Sequence, residues 1–233
     1  MCVFSIKVLV SNDATGGTID MVNEATGHVL TKFTGQTCGL NGFRWITADS
    51  FASWSQCDGK AIVWNVTTVQ AIRVLNGDPN GVSAFELLDD GQSAAAANQY
   101  GQVYIWNWHT GALIRLISAA TNWIFGLRQH PNGYLLVASY DNRLRMFDYH
   151  TGTLVNTIFP AHSANGIVPL VLLPNGNPVT GGNDGSVKLW DMSTFSSTPL
   201  RTFAGGHSAV FSLLVYDANT LLSGGNGGDS KIV

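Results

Sequence analysis

Seven-residue segments of one pattern recur along this chain: Gly17–Asn23 (GTIDMVN), Gly59–Asn65 (GKAIVWN), Gly101–Asn107 (GQVYIWN), Asn142–Asp148 (NRLRMFD) and Gly185–Asp191 (GSVKLWD). Their penultimate residues, Val22, Trp64, Trp106, Phe147 and Trp190, are spaced by 42, 42, 41 and 43 residues. A sixth copy opens at Gly228 and runs to Val233. A fixed period of this length marks a chain assembled from repeated supersecondary units, each too small to bury its own apolar faces.

The unit is a small β-sheet. Each segment alternates apolar and polar residues, as a half-buried strand does. Asn23, Asn107 and Asp148 are each followed, after two intervening residues, by Thr-Gly. The Asn or Asp side chain accepts from nearby backbone N–H groups and the Gly takes positive φ, so a tight turn is expected there. Upstream, Asp90-Gly91, Asn132-Gly133 and Asn175-Gly176 each join two apolar runs, which is a second hairpin signal. Four short strands per period and no capped helical pattern predict an all-β fold, a β-propeller of four-stranded antiparallel blades. The blades are expected at about 1–34, 37–75, 79–118, 121–158, 163–204 and 207–233, some five and three-quarter blades. In the first, Val3–Ile6 and Lys7–Val10 are read as two successive strands. The last strand lacks an outer partner, an exposed edge that leads one to expect part of a longer ring, seven-bladed, with a six-bladed ring as the rival.

The repeats resemble the WD-repeat family over essentially the whole chain. Trp190-Asp191 is the full signature dipeptide, and Trp64-Asn65, Trp106-Asn107 and Phe147-Asp148 are near matches. Gly206-His207 matches the family's Gly-His start, Ala161-His162 matches it in part, and Asp58, Asp141 and Asp184 each stand six residues before the signature aromatic. The resemblance implies a hydrogen-bond chain through His162, Thr180, Asp184 and Trp190, with a structural rather than catalytic role. Val22, Tyr100 near the turn-Asp position, and the missing His of the third and fourth repeats put that chain in doubt for the other blades.

The resemblance also implies a non-catalytic protein–protein interaction scaffold, a subunit of a larger assembly whose partners are other proteins. In the family, partners dock on the face carrying loops between blades and between second and third strands. Here these are approximately 35–39, 76–81, 118–123, 159–166 and 204–208, with 12–17, 56–59, 98–102, 140–142 and 182–185. Tyr100, Asn122, Trp123, Tyr140 and Asn183 are the side chains there large or polar enough to anchor a partner. Trp123 has a second reading, as the start of an inner strand packed between blades.

Composition narrows the alternatives. Charged residues are 12% of the chain and the formal net charge is −3, with Lys and Arg scattered singly. No direct nucleic-acid contact is therefore expected, and binding should depend chiefly on apolar burial and only weakly on salt. No apolar run is long enough to cross a membrane as a helix, and nothing near Met1 resembles a signal peptide. Cys2, Cys38 and Cys57, odd in number and without metal spacing, read as buried thiols of a reducing compartment, in keeping with a cytoplasmic location. Asn65-Val66-Thr67 fits a glycosylation acceptor but is too short a pattern to weigh against that.

No catalytic motif is found and no cofactor is expected. Ser139-Tyr140-Asp141-Asn142-Arg143 begins like the aspartate box of sialidase-like propellers, but Arg143 stands where Gly is needed. His28, His109 and His150 fall in outer turns of separate blades, too far apart to share a metal. A glycan-binding or quinoprotein-like propeller, extracellular or periplasmic, is the alternative class. It lacks support, because neither a recurring aromatic and polar set nor a cluster of cofactor-binding charges is present.

Overall fold

The computed structural model describes residues 6–11, 17–23, 25–77, 79, 81–163, 166–203, 206–217 and 220–227, the first of these stretches by its backbone. All regular structure among them is β. Three complete four-stranded antiparallel sheets follow one another in the middle of the chain. They comprise β4 (Leu40–Thr47), β5 (Ser50–Ser55), β6 (Lys60–Asn65) and β7 (Gln70–Asn76); β8 (Ala84–Leu87), β9 (Ser93–Ala97), β10 (Gln102–Asn107) and β11 (Leu113–Ser118); and β12 (Ile124–Gln129), β13 (Leu135–Ser139), β14 (Leu144–Asp148) and β15 (Thr153–Ile158). A fourth contains β16 (Ile167–Leu172), β17 (Pro178–Gly182), β18 (Val187–Leu189) and β19 (Arg201–Phe203). The described residues open with a three-stranded sheet, β1 (Ile6–Ser11), β2 (Thr18–Asn23) and β3 (Val29–Thr34). The described residues end with the pair β20 (Ala209–Val215) and β21 (Leu221–Asn226).

Within every sheet the strands lie in chain order, and the first strands of successive sheets pack side by side, β8 on β12, β12 on β16 and β16 on β20. This is the blade arrangement of a propeller, with first strands inside and fourth strands outside. Second strands carry the most deeply buried residues, as in the run Leu135, Leu136, Val137 and Ala138. They are covered on both faces, so they read as continuous apolar or small-residue runs rather than as alternating ones. Outer strands β3, β11 and β15 leave Val29, Leu30, Leu113, Ile114, Leu154 and Val155 exposed on the rim.

The turn chemistry read from the sequence is present. Gly27, Gly111 and Gly152 close the outer hairpins with φ of 69°, 80° and 80°, each N–H donating to the carbonyl four residues back. The side-chain oxygen of Asn23, Asn107 or Asp148 accepts from N–H groups inside the same turn. Gly91, Gly133 and Gly176 likewise take positive φ between first and second strands.

Two expectations are corrected. Ile6, expected to end a first strand, instead runs on into Lys7 as one strand, Ile6–Ser11, since no turn residue separates the two; the rest of the strand expected at Val3–Ile6 lies outside the described residues. Cys38 and Cys57 are joined as a disulfide rather than free, with Cα atoms 6.3 Å apart. The loop entering the second blade and its 56–59 turn meet there, and that removes the cysteine argument for a reducing compartment. Cys2 and the sixth repeat segment from Gly228 lie outside the described residues.

Candidate functional site

In the second, fourth and fifth blades the turn between second and third strands is held down by an aspartate. Asp58 accepts from the N–H of Thr37, Asp141 from the N–H and hydroxyl of Thr121, and Asp184 from the N–H and hydroxyl of Ser163. The carboxylate thus clamps the loop that enters the blade to the turn beside it, so these positions build the loop face. In the third blade Tyr100 takes the aspartate's place, and the Asn98 side chain accepts from the N–H groups of Tyr100 and Gln102 instead.

His162, Thr180, Asp184 and Trp190 lie on one hydrogen-bonded path. The Trp190 indole N–H donates to Thr180 Oγ1 at 2.8 Å, Thr180 Oγ1 lies 2.8 Å from His162 Nε2, and His162 Nδ1 lies 3.0 Å from Asp184 Oδ1. Thr180 accepts from the indole and spends its one proton on Nε2, which leaves the His162 proton on Nδ1, facing Asp184. Burial keeps His162 below its ordinary pKa despite Asp184, consistent with a neutral ring. Burial raises the Asp184 carboxyl, but hydrogen bonds from Ser186 and Ser163 and the nearby imidazole outweigh it and hold the group well below the usual carboxylate range. Every donor is consumed internally and no nucleophile faces solvent, so the arrangement braces the fifth blade.

Departures from this pattern are compensated locally. In the second blade Trp64 donates to Ser53 Oγ at 2.9 Å, while Gln36 stands where His162 does and donates its amide to the Lys60 carbonyl. In the fourth blade, which lacks the His, Arg145 binds Asp141 through both terminal nitrogens at 3.0 and 2.7 Å, with both side chains buried. Arg145 is one repeat before Lys188, which donates to the Ala161 carbonyl instead, so only in the fourth blade does the basic residue at this register bind the turn aspartate.

Four of the five loop residues singled out as partner anchors converge. Asn122, Trp123 and Tyr140, with Phe125, line an open cavity of about 330 Å³ on the fourth blade. Trp123 stands just before β12 and its ring packs 5.4 Å from Phe125, which in turn meets Tyr140 edge-on. Asn183, on the next blade, donates its side-chain N–H to the Tyr140 hydroxyl at 2.7 Å. Gly166 lies against both, at a φ of 100°, and a Cβ there would strike the Tyr140 ring. Tyr100 is not part of this group; it is 54% exposed on the preceding blade and does not line the cavity.

Three charged residues with no place in the sequence reading form a second cluster. Arg44, Glu86 and Arg128 occupy one register position on β4, β8 and β12 and are 42 residues apart. Arg44 Nη1 donates to Glu86 Oε2, and Arg128 Nη1 lies 3.4 Å from the same oxygen. The repeat period itself was the signal that could have revealed them. No group of three metal-ligating side chains occurs among the described residues, and none of them forms a helix long and apolar enough to cross a membrane.

A family model described as "WD domain, G-beta repeat" matches residues 111–148 and 152–191. No curated protein matches the chain in sequence. Among solved structures, the WD40 β-propeller domain of Doa1 matches with a TM-score of 0.79 and 17% identity, over 94% of this chain and 71% of that one. The computationally designed Ika8 protein matches with a TM-score of 0.75 and 24% identity, over 95% of this chain and 66% of that one. At these identities the likeness speaks for the fold alone.

Proposed function

This chain is a WD-repeat β-propeller, and from that premise we propose that it is a non-catalytic platform for binding another protein within a larger assembly. The cavity lined by Asn122, Trp123, Phe125 and Tyr140 carries the proposal. Three aromatic rings give a partner side chain a large apolar contact, while the Asn122 amide and the Tyr140 hydroxyl supply polar direction. Asn183 fixes the Tyr140 ring from the neighbouring blade, so little side-chain entropy remains to be lost on docking. No charged side chain lines the cavity, so affinity at this place should vary little with salt.

The test begins with a photo-crosslinking residue in place of exposed Asn122, which marks the partner in cells. With that partner purified, Trp123→Ala and Tyr140→Ala are compared with the unaltered chain by titration calorimetry. At least one should lose about 2 kcal/mol or more of binding free energy, as interface anchors do. Unchanged affinity in both, or partner contacts confined to the outer rim near His28, His109 and His150, overturns the assignment.

A further inference from the structure

The inner strands carry a second pocket, of about 510 Å³, whose wall includes Arg44, Trp54, Phe85, Phe125 and Arg128. Its chemistry is one-sided. Among the described residues Glu86 is the one carboxylate that binds the two arginines, and its side chain is only 7% exposed, whereas those of Arg44 and Arg128 are 41% and 37% exposed. Burial pushes the Glu86 carboxyl up, and the two guanidinium charges oppose that. One buried negative charge is thus shared between two half-exposed positive ones, which leaves a local excess of one positive charge in a chain whose net charge is −3.

Donors are also in excess. A guanidinium has five N–H groups. Arg44 spends one on Glu86, and Arg128 uses Nη1 for Glu86 and the Leu127 carbonyl. The buried Trp54 indole N–H, in the same wall, has no partner among the described residues. Trp54 and Phe85 stack with centroids 5.3 Å apart, an apolar flank beside the charges.

We propose that this pocket binds the carboxylate side chain of an acidic segment of a partner polypeptide, received in the fork between Arg44 and Arg128. Guanidinium groups hold carboxylates bidentately, and the stacked rings take the methylene and neighbouring apolar groups of the segment. Phe125 lines both this pocket and the loop cavity, so a single extended segment reaches both. The proposal rests on the reading that the chain binds a protein and adds what that protein must carry.

A random dodecapeptide library displayed on phage, panned on the purified full chain, supplies the probes. Enriched peptides should be rich in Asp or Glu beside an aromatic or aliphatic residue. Their affinity should fall at least tenfold in Arg128→Gln and in Arg44→Gln, and fall with added salt. Glu86→Gln, which keeps the shape and releases both arginines, should bind the same peptides severalfold more tightly. That gain keeps the test decisive where an arginine variant fails to fold. Peptides that need Trp123 or Tyr140 but are indifferent to both arginines leave the loop cavity as a docking site and overturn the acidic one. No enrichment of acidic residues, no enriched peptide at all, or inorganic phosphate displacing the peptides far better than acetate at equal ionic strength also overturns it.

Discussion

Asn183 donates a hydrogen bond to the Tyr140 hydroxyl at 2.7 Å, and the two residues are 43 apart, one repeat along the chain. The bond joins equivalent turns of neighbouring blades, so the loop face of the fourth and fifth blades is braced before any partner arrives. Tyr140→Phe keeps the ring and removes the hydroxyl. It should cost about 0.5–1.5 kcal/mol of stability in urea unfolding, the usual net worth of one such bond, and weaken partner binding less than Tyr140→Ala does. A larger binding loss in Tyr140→Phe than in Tyr140→Ala would show that the hydroxyl, not the ring, meets the partner.

The path from Trp190 to Asp184 makes stability sensitive to acid. Asp184 has a depressed pKa in the folded protein, so its contribution is present above the ordinary carboxylate pKa and is lost as pH falls through the folded value. His162 is also depressed, which means the unfolded chain takes up its proton first, near pH 6.5, and stability begins to fall there. Unfolding midpoints should therefore drop as pH is lowered from 8 to 5, and Asp184→Ala should cost about 1–3 kcal/mol at pH 7. A midpoint that does not move between pH 8 and 5 would refute the neutral, buried imidazole.

Arg145 and Asp141 form a buried pair in the blade that lacks the histidine. Arg145→Met should cost about 3–5 kcal/mol, since it leaves a carboxylate buried with only Thr121 and backbone N–H donors. Arg145→Lys should recover part of that but not the two-point contact. Thermal melts of the three proteins at one pH decide it, and equal stability of all three would mean the pair does not brace the turn.

The Cys38–Cys57 disulfide has a direct chemical readout. Titration of thiols in denaturant without reductant should find one per chain, Cys2, out of the three cysteines. Cys57→Ser should lower stability by about 2–4 kcal/mol under oxidising conditions and make little difference once the parent is reduced. Three titratable thiols would remove the bond.

The propeller was legible because its signature is periodic: an apolar residue, aromatic in four of five copies, every 42 or so residues, with Asx and Thr-Gly turns after three of them. The path through His162, Thr180, Asp184 and Trp190 was legible only through family resemblance, as no local spacing says that Thr180 faces an indole. Arg145 escaped notice because it lies on a third strand whereas the histidine it stands in for lies in a blade-entry loop, and such a substitution leaves no pattern in a linear text. Arg44, Glu86 and Arg128 read as charges scattered singly until they are placed one period apart, when they fall into a single column. The cysteine pairing was hidden because it links a blade-entry loop to a turn, and neither an odd count nor spacing records that meeting. Tyr100 matched its loop position but stayed apart, since the cavity forms where an aromatic opens β12 and the third blade's β8 has no equivalent of Trp123.

That column of charges continues into the next two inner strands as Val171 and Leu214, which hold the same register on β16 and β20. From the second blade to the sixth, the inner wall at this register therefore reads positive, negative, positive, apolar, apolar. Its polarity differs from one arc to the other, and rotation about the ring axis does not map one arc onto the other. A segment lying against this wall has one favoured azimuth, with its acidic side toward the arginine arc and its apolar side toward Val171 and Leu214. Nearly equivalent repeats thus give the wall a compass bearing that a set of identical repeats would lack.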